Sequence, residues 1–507
     1  MASTYVNDLR LNEMATGDAS GTWGTTTNTN LELIAEAWGS GSEGITGTSH
    51  TITMADGAAD AARAYSLTLT GSITALNTVT LAPNTVNKTW VIQNSSGYAV
   101  SLTQGTGANV VIPNGGIKMV VADGAGAGAA VTDVLDMTGG TGNVGLGSGN
   151  LGTALTTGTD NVAIGEASLD AVTTGDNNTA VGDNAAGATT TGSSNTAIGA
   201  DALLLNSTAS YNTAIGNDAM AANTTGAENT AVGWDALTAN TTASNNVAVG
   251  TTALGANTTG TDNVAVGAYA LDANTTTSDN TAIGDNALGA NTADNNTAVG
   301  SSALLVNTTG TANVALGTSA LAANTTANSN TAIGKDALLA NTTGTRNVGV
   351  GASALKTITT ASYNVGVGND VLGANTTGAN NTGVGDQALG ANTTGTENTA
   401  VGSAALDANT TGNYNSGIGF NSLTANTTGE RNNAVGYGTL AANTTASYNT
   451  AMGHSALYAN TTGAGNTAYG NDAMTANTTG ADNVAVGAAA LDANTTGSDN
   501  TAIGDNA

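Results

Sequence analysis

The chain has 507 residues, of which 9% are charged and 3% aromatic, and its formal net charge is −28 at pH 7. With eight lysines and arginines it cannot neutralise a phosphate track, which argues against nucleic-acid binding. The lack of cysteine excludes disulfides and thiolate metal sites. No segment is typical of a signal peptide or a membrane span, so we expect synthesis in a cytoplasm and no membrane insertion.

The first 50 residues predict a docking segment. The stretch "NTNLELIAEAWG" at 28–39 predicts one short helix, with Asn30 as its N-cap and Gly39 as its stop. The polar, Gly/Thr-rich stretch before it is typical of an arm that orders on a partner. We expect the docking contacts to be made by apolar residues of the helix, namely Leu31, Leu33, Ile34 and Trp38.

Residues 51–138 predict a small β-domain. Alternating runs such as "YSLTLTG", "KTWVIQN" and "IKMVVADG" follow one another at short intervals between turn residues. That spacing is typical of a small antiparallel β-sandwich or barrel. The Gly-rich stretch "TGGTGNVGLGSGN" at 138–150 is interpreted as the hinge into the next region.

From residue 139 to the end, one phrase repeats. Taking the glycine of each "A-I/V-G" triplet as an anchor gives 21 anchors from Gly165 to Gly504, spaced by 17 residues except for one 16-residue step between Gly284 and Gly300. A fixed short period indicates a solenoid in which each unit contacts its neighbours. Positions are counted below from the anchor glycine, which is position 0.

The repeat predicts an all-β protein with a parallel β-solenoid of 17-residue coils. Asn stands at position −4 of every coil, Ala or Gly at −2, usually Ile or Val at −1 and usually Leu at +4, and "ANTTG" is interpreted as a turn. The two-residue alternation and the frequent punctuation favour two or three short strands per coil. We expect stacked asparagines and a dry interior of Ile/Val and Leu. Representative ladder residues are Asn212, Ile215, Gly216, Asn229, Val232, Gly233, Leu237, Asn246, Val249, Gly250 and Leu254.

A single coil buries few large side chains, roughly one Ile/Val and one Leu. At about 1.5–3 kcal/mol each, they barely offset the ordering of 17 residues. Packing several chains along the Ala-rich face would help, so we expect a homo-oligomer, most simply a trimer.

Candidate catalytic and ligand motifs are weak. "GLGSGNLG" (145–152) resembles a phosphate loop but lacks the following Lys, and "N-T-T" matches a glycosylation acceptor but fits a turn better. The acidic positions wander between coils, which argues against calcium ladders, although scattered bound ions remain possible. The pair Asp262 and Asp272 could suggest glycoside hydrolysis, but acidic residues at this spacing are expected by chance. The two histidines available as metal ligands, His50 and His454, lie in different parts of the chain. Threonine rows suggest ice binding, but they sit at the turn. We expect no enzyme activity, no metal and no cofactor.

Two resemblances point to a fibre. The phrase "NTAIGxxAL", as at Asn330–Leu338, resembles the head repeats of trimeric autotransporter adhesins, which implies a trimeric left-handed β-roll acting as an adhesive spacer. Those repeats are shorter, and no coiled-coil stalk or barrel anchor is found here. The opening "MASTYVNDLRLNEMATGDASGTWGTTTNTNLELIAEAWG", about 40 residues, resembles the start of tail-fibre or related structural proteins of cyanophage-like bacteriophages, which implies attachment to a virion.

We therefore expect a phage tail fibre located on the virion. Its partners would be other copies of the chain, a tail or virion adaptor protein at the N-terminus and a host cell-surface receptor at the distal end. The chain stops at "TAIGDNA" in mid-repeat, so we expect the shaft to continue in a further segment that includes the recognition tip. The alternatives are a bacterial surface adhesin or filament subunit, and a tailspike polysaccharide depolymerase.

Overall fold

The computed structural model describes residues 4–6, 9–13, 21–134, 142–147, 149–151 and 155–507. It is nearly all-β, with a small mixed-sheet domain followed by a parallel β-solenoid of about 21 turns at a 17-residue spacing. The chain divides into two units, residues 1–217 and 218–507, which are described separately. The expected hinge at 138–150 lies partly outside the described residues.

The first unit contains the one α-helix of the described residues, α1 (Trp23–Ala37). Its early strands are β1 (Thr4–Val6), β2 (Leu11–Glu13), β3 (Ser40–Ile45), β4 (Ser49–Thr53), β5 (Ser66–Gly71), β6 (Asn77–Ala82), β7 (Asn87–Ser95), β8 (Val100–Thr103), β9 (Val110–Ile112), β10 (Ile117–Asp123) and β11 (Val131–Asp133).

Helix α1 starts earlier than the sequence predicted. It begins at Trp23 after Thr22, and its C-cap is Trp38, with the Gly39 amide donating to the Glu36 carbonyl. Asn30 is therefore a mid-helix residue and not an N-cap. Its side chain both accepts from the Asn12 amide and donates to the Asn12 carbonyl, each at 3.2 Å. The predicted cap thus holds strand β2 against the helix.

The β-domain is a pair of sheets with mixed pairing, which corrects the predicted antiparallel sandwich. One sheet has the order β11-β10-β7-β5-β3 and the other β4-β6-β8-β9. In the first, β3, β5 and β7 pair in parallel, and in the second, β4, β6 and β8 do the same. Because the chain alternates between the sheets, residues 40–103 already form a short parallel coil. Antiparallel strands β9, β10 and β11 complete the sheets.

One hydrophobic core fills the space between these sheets. Leu67, Trp90 and Ile92 come from one sheet and Val79 and Leu102 from the other, and each is at most 2% exposed. Since β3 and β4 contribute Ile45 and Ile52 to the same core, the β-domain begins at Ser40 rather than at the predicted residue 51.

The solenoid contributes one three-residue strand per coil. In the first unit these are β12 (Val144–Leu146), β13 (Val162–Ile164), β14 (Thr179–Val181), β15 (Thr196–Ile198) and β16 (Thr213–Ile215). In the second unit they are β17 (Thr230–Val232), β18 (Val247–Val249), β19 (Val264–Val266), β20 (Thr281–Ile283), β21 (Thr297–Val299), β22 (Val314–Leu316), β23 (Thr331–Ile333), β24 (Val348–Val350), β25 (Val365–Val367), β26 (Thr382–Val384), β27 (Thr399–Val401), β28 (Ser416–Ile418), β29 (Asn433–Val435), β30 (Thr450–Met452), β31 (Thr467–Tyr469), β32 (Val484–Val486) and β33 (Thr501–Ile503).

Within each unit, every solenoid strand pairs in parallel with the next, so like residues lie on like residues. Thr230, for example, pairs with Val247, and Val247 with Val264. Backbone bonds between coils continue beyond the strand, as from the Leu254 amide to the Ala270 carbonyl at 2.9 Å. Turns fill the rest of each coil, which corrects the prediction of two or three strands.

The coil interior is narrow and is filled by small residues, leucine and asparagine. The alanines at −2 and +3, such as Ala231 and Ala236, are fully buried, as are the leucines at +4, including Leu237 and Leu254. The Ile/Val column at −1 faces outward instead, and Ile215 is 36% exposed. The prediction that Ile215, Val232 and Val249 form the interior is therefore wrong. Because the alanines lie inside the coil, the expected Ala-rich packing face is not on the surface either.

The single 16-residue step is absorbed in the turn. The Thr281–Thr297 pairing keeps the strand register across it. The coil omits the exposed threonine that follows Thr292 in the repeat pattern, and Ala293 takes the buried place usually held by glycine, at 5% exposure. A deletion there leaves the stack intact.

Candidate interaction surfaces

The predicted asparagine ladder at position −4 is confirmed within each unit. Asn246 is fully buried and its backbone amide donates to Asn229 Oδ1 at 2.9 Å. Its Nδ2 donates to the Gly260 carbonyl of the following coil at 2.9 Å. Asn212, in the first unit, makes the equivalent hydrogen bond, in which its backbone amide donates to Asn195 Oδ1 at 3.0 Å. Each asparagine thus satisfies buried backbone groups that a purely apolar interior would leave unpaired.

A second asparagine ladder, not recognised in the sequence, runs through the "ANTTG" turn at position +7. Asn240 Nδ2 donates to Asn223 Oδ1 at 2.8 Å, and Asn257 Nδ2 donates to Asn240 Oδ1 at 3.1 Å. These side chains are fully buried. Ile358 interrupts the ladder, and the Oδ1 of the preceding Asn341 is buried with no hydrogen-bond partner. The asparagine of "ANTTG" is therefore a core residue.

The anchor glycines stack directly on one another. Gly233 has a φ of +138°, and a Cβ there would lie 2.5 Å from the Gly250 carbonyl oxygen. Gly250 has the same relation to Gly267, and Gly216 has a φ of +138°. Both the backbone conformation and the close approach require glycine, which explains why this residue marks every coil.

The outward side of the strands forms a flat column of β-branched and aliphatic side chains, here called the strand face. It consists of positions −3 and −1 of coils β17–β33. Ile283, Leu316 and Val401 are 40%, 46% and 38% exposed, respectively. Seventeen strands about 4.8 Å apart and a three-residue width at about 3.3 Å per residue give the strand face roughly 800 Å²; with the mostly polar positions −5 and +1 included, the surface is roughly 1,500 Å². Exposed apolar surfaces of this extent mark interaction sites.

Aromatic and cationic side chains cluster at both ends of strands β28–β30. At position −5, the Arg431 guanidinium lies 5.4 Å from the ring centres of both Tyr414 and Tyr448. At position +1, the rings of Phe420 and Tyr437 stack at 5.6 Å. Tyr437 stacks in turn on His454 at 5.1 Å, so each end carries a three-membered column.

The two aspartates considered in the sequence lie in different environments. Asp262 is exposed at position −5, whereas Asp272 is half-buried at position +5, where burial raises the pKa of its carboxyl. Burial, followed by repulsion from Asp370 and Asp386, likewise raises the pKa of Asp407. Among the described residues, no group of three or more His, Cys, Asp and Glu is arranged to hold a metal ion.

Helix α1 presents a second apolar surface, in the first unit. Of the predicted docking residues, Leu31, Ile34 and Trp38 are 59%, 37% and 81% exposed, respectively, whereas Leu33 is buried at 2%. Leu33 therefore packs inside the unit and is not available to a partner. A pocket of about 150 Å³ beside Trp38 is lined by Leu9, Ala37, Trp38, Tyr65 and Lys88.

The helix and the N-terminal strands are held by Arg63, which sequence reasoning missed. Its side chain is fully buried and donates to the carbonyls of Leu9, Ala55 and Ala58. It also forms ion pairs with Asp60 at 3.2 Å and Glu36 at 3.4 Å. An arginine with five donors can join three chain segments in this way.

Over the part of the chain that the structure describes, no helix has the length and apolar character needed to cross a membrane. No protein-family model, no curated protein and no solved structure matches this chain.

Proposed function

We propose that this chain is a non-enzymatic phage tail fibre located on the virion. Its solenoid is the shaft, and the shaft holds a host-recognition region away from the particle. The observation that carries the proposal is the repetition of one coil in unbroken register along β17–β33. Stacking like coils adds length without adding reactive groups, which is what a spacer requires.

The shaft is proposed to be a homotrimer packed through the strand face. A stable interface buries about 800 Å² per partner, and the strand face together with positions −5 and +1 offers roughly 1,500 Å². Association would cover aliphatic side chains such as Ile283 and Leu316 that one chain leaves about two-fifths exposed. In a closed three-fold trimer, each contact joins the −5 end of one copy to the +1 end of the next. Both ends of every copy are then occupied, so no open surface remains for filament growth.

The N-terminal helix is proposed to dock on the virion. The exposed residues Leu31, Ile34 and Trp38 offer an apolar stripe on one side of α1, and the pocket beside Trp38 offers a place for an apolar side chain of an adaptor protein. Host recognition is proposed to occur at the distal end of the shaft, through binding to a cell-surface receptor.

Light scattering and electron microscopy of the purified chain test the shaft. We expect a trimer mass and thin rods; a monodisperse monomer would overturn the trimer, and compact particles would overturn the shaft. Labelling of virions with an antibody against residues 51–134 tests the location, and phage particles that lack the protein would favour a bacterial adhesin. Release of sugars from a susceptible capsule would favour the depolymerase alternative.

A further inference from the structure

The strand face alone does not define how neighbouring copies align along the shaft. Thr230, Val247 and Val264 are interchangeable at position −3, as are Val232, Val249 and similar residues at −1. Displacing one copy by one coil relative to the other two replaces one β-branched side chain by another at little cost. Repetitive faces therefore specify register weakly unless another feature breaks the repeat.

Three consecutive coils supply such a feature. In the coils of β28, β29 and β30, both ends of the strand carry an aromatic or cationic side chain; the pairs are Tyr414 with Phe420, Arg431 with Tyr437 and Tyr448 with His454. In every other described coil of the second unit, at most one end does so. For example, Trp234 is opposite Glu228.

These side chains are held in place before any partner arrives. Arg431 donates to the Tyr448 hydroxyl at 2.6 Å and lies between two tyrosine rings. The stack of Phe420, Tyr437 and His454 fixes the other column. Tyr448 is 59% exposed and Tyr437 53% exposed, so their edges are free for contact. Rigid aromatic side chains lose little entropy on binding.

We propose that the two columns form a clasp between copies of this chain that sets their axial register. This inference rests on the proposed trimer. When three strand faces turn toward a common axis, the −5 end of each copy meets the +1 end of the next. At zero shift, Tyr414 lies beside Phe420 of the neighbouring copy, Arg431 beside its Tyr437, and Tyr448 beside its His454.

The chemistry of these pairs is complementary at all three positions only in this register. They combine an aromatic pair, a cation–π pair and a hydroxyl–imidazole hydrogen bond. A shift of one coil leaves two of the three positions paired, and in one direction it sets Tyr448 beside Asn471. In the other direction it brings Tyr414 beside Ser403. The clasp thus favours zero shift.

The absence of cysteine from the sequence allows a direct reporter of register. Asn380→Cys with Asp386→Cys places thiols at the two ends of one coil and reports zero shift after treatment with a short bis-maleimide. Asn380→Cys with Ser403→Cys reports a shift of one coil. Six residue steps separate the two ends of one coil, about 20 Å, so a short reagent links copies and not positions within a chain.

We expect covalent trimers from the zero-shift reporter and only traces from the shifted one. Adding Phe420→Ala, Tyr437→Ala and His454→Ala should raise the shifted product about tenfold, since each aromatic pair contributes a factor of about 2 to 12. The matched control is Arg346→Ala with Tyr363→Ala. That pair has the same 5.4 Å cation–π contact and 2.6 Å hydrogen bond but no aromatic column at the other end. It should leave the products unchanged.

The outcomes separate the two proposals. An unchanged product ratio in the triple variant, with parental circular dichroism and trimer mass, would overturn the clasp and leave the trimer standing. A trimer that neither reporter cross-links would show that the copies meet through another face or in another register, and this too overturns the clasp. A parent chain that is a monomer by light scattering would overturn both.

Discussion

Replacing Asn409 by alanine tests whether the second asparagine ladder holds the coils together. Asn409 is fully buried, its Nδ2 donates to Asn392 Oδ1 at 2.8 Å, and its Oδ1 accepts from Asn426 Nδ2 at 2.9 Å. Asn409 Nδ2 also donates to the Gly412 carbonyl, but that carbonyl keeps its hydrogen bond from Asn398 Nδ2. The two buried groups that lose a partner are therefore Asn392 Oδ1 and Asn426 Nδ2. At about 1–3 kcal/mol for each, we expect a loss of about 2–6 kcal/mol.

Asn341→Ala is the internal comparison. Because Ile358 follows Asn341 in the ladder, Asn341 Oδ1 already lacks a hydrogen-bond partner. Removing the Asn341 side chain therefore deprives only Asn324 Oδ1 of a donor. The loss should therefore be at least about 1 kcal/mol smaller than for Asn409→Ala. The exposed Thr411→Ala, in the turn that follows Asn409, should stay within about 0.5 kcal/mol of the parent.

Urea unfolding followed by circular dichroism measures these differences. Repeat arrays can unfold in parts, so hydrogen exchange of peptides covering 392–426 should accompany it and should show the loss concentrated there. Equal effects of Asn409→Ala and Thr411→Ala would refute the argument that the turn asparagine is a core residue. Equal effects of Asn409→Ala and Asn341→Ala would refute the assignment of the cost to unpaired groups.

Three further measurements address the anchor glycine, an acidic cluster and the buried arginine. Gly233→Ala should destabilise by about 2–4 kcal/mol because of its positive φ and the close carbonyl, whereas Gly289→Ala, where a Cβ has room, should be neutral or slightly stabilising in the same urea titration. Asp407→Asn should be slightly more stable than the parent at pH 7, because the raised pKa of Asp407 means that its charged carboxylate is disfavoured in the native state. The difference in stability should vanish below the unfolded pKa of about 3.9, where the carboxyl is protonated in both states. A difference that grows on acidification would contradict this sign. Arg63→Met should cost about 3–5 kcal/mol and free the segment around Leu9 to proteolysis, and a protease pattern like that of the parent would argue against its joining role.

The sequence predicted the solenoid because its strongest signals are local and repeated. Asn at −4 and Gly at 0 occur where nothing else fits, and the structure explains both by close backbone approach and buried hydrogen bonds. The second ladder was missed because asparagine is also an ordinary turn residue. Its recurrence where Asp, Ser or Gly would serve a turn equally well was the available signal.

The direction of the strand side chains was the main error. Positions −4 and −2 share one face and −3 and −1 the other, so stacking Asn246 inside the coil forces Val249 outside. Hydrophobicity alone favoured the opposite choice. The narrow interior explains why the Ile and Val side chains face outward, because even a Cβ at Gly349, at position −2, would lie 3.4 Å from the Leu338 side chain.

Two features depend on contacts that the sequence pattern does not contain. Leu254 and its equivalents have a φ near +54°, a conformation unusual for leucine, and they adopt it where the amide must reach the next coil. Likewise, the parallel pairing of β3, β5 and β7 follows from the alternation of the chain between two sheets. Alternating short strands alone do not distinguish this from an antiparallel order.

The coil between Gly284 and Gly300 lost a residue without disturbing the strands on either side of it. A position that tolerates a deletion in this way is also a suitable place to add sequence. Foreign peptides grafted after Thr292, or at the matching site of any other coil, would be displayed at regular height intervals of about 4.8 Å. The same tolerance gives evolution a simple way to vary surface loops while the framework underneath stays constant.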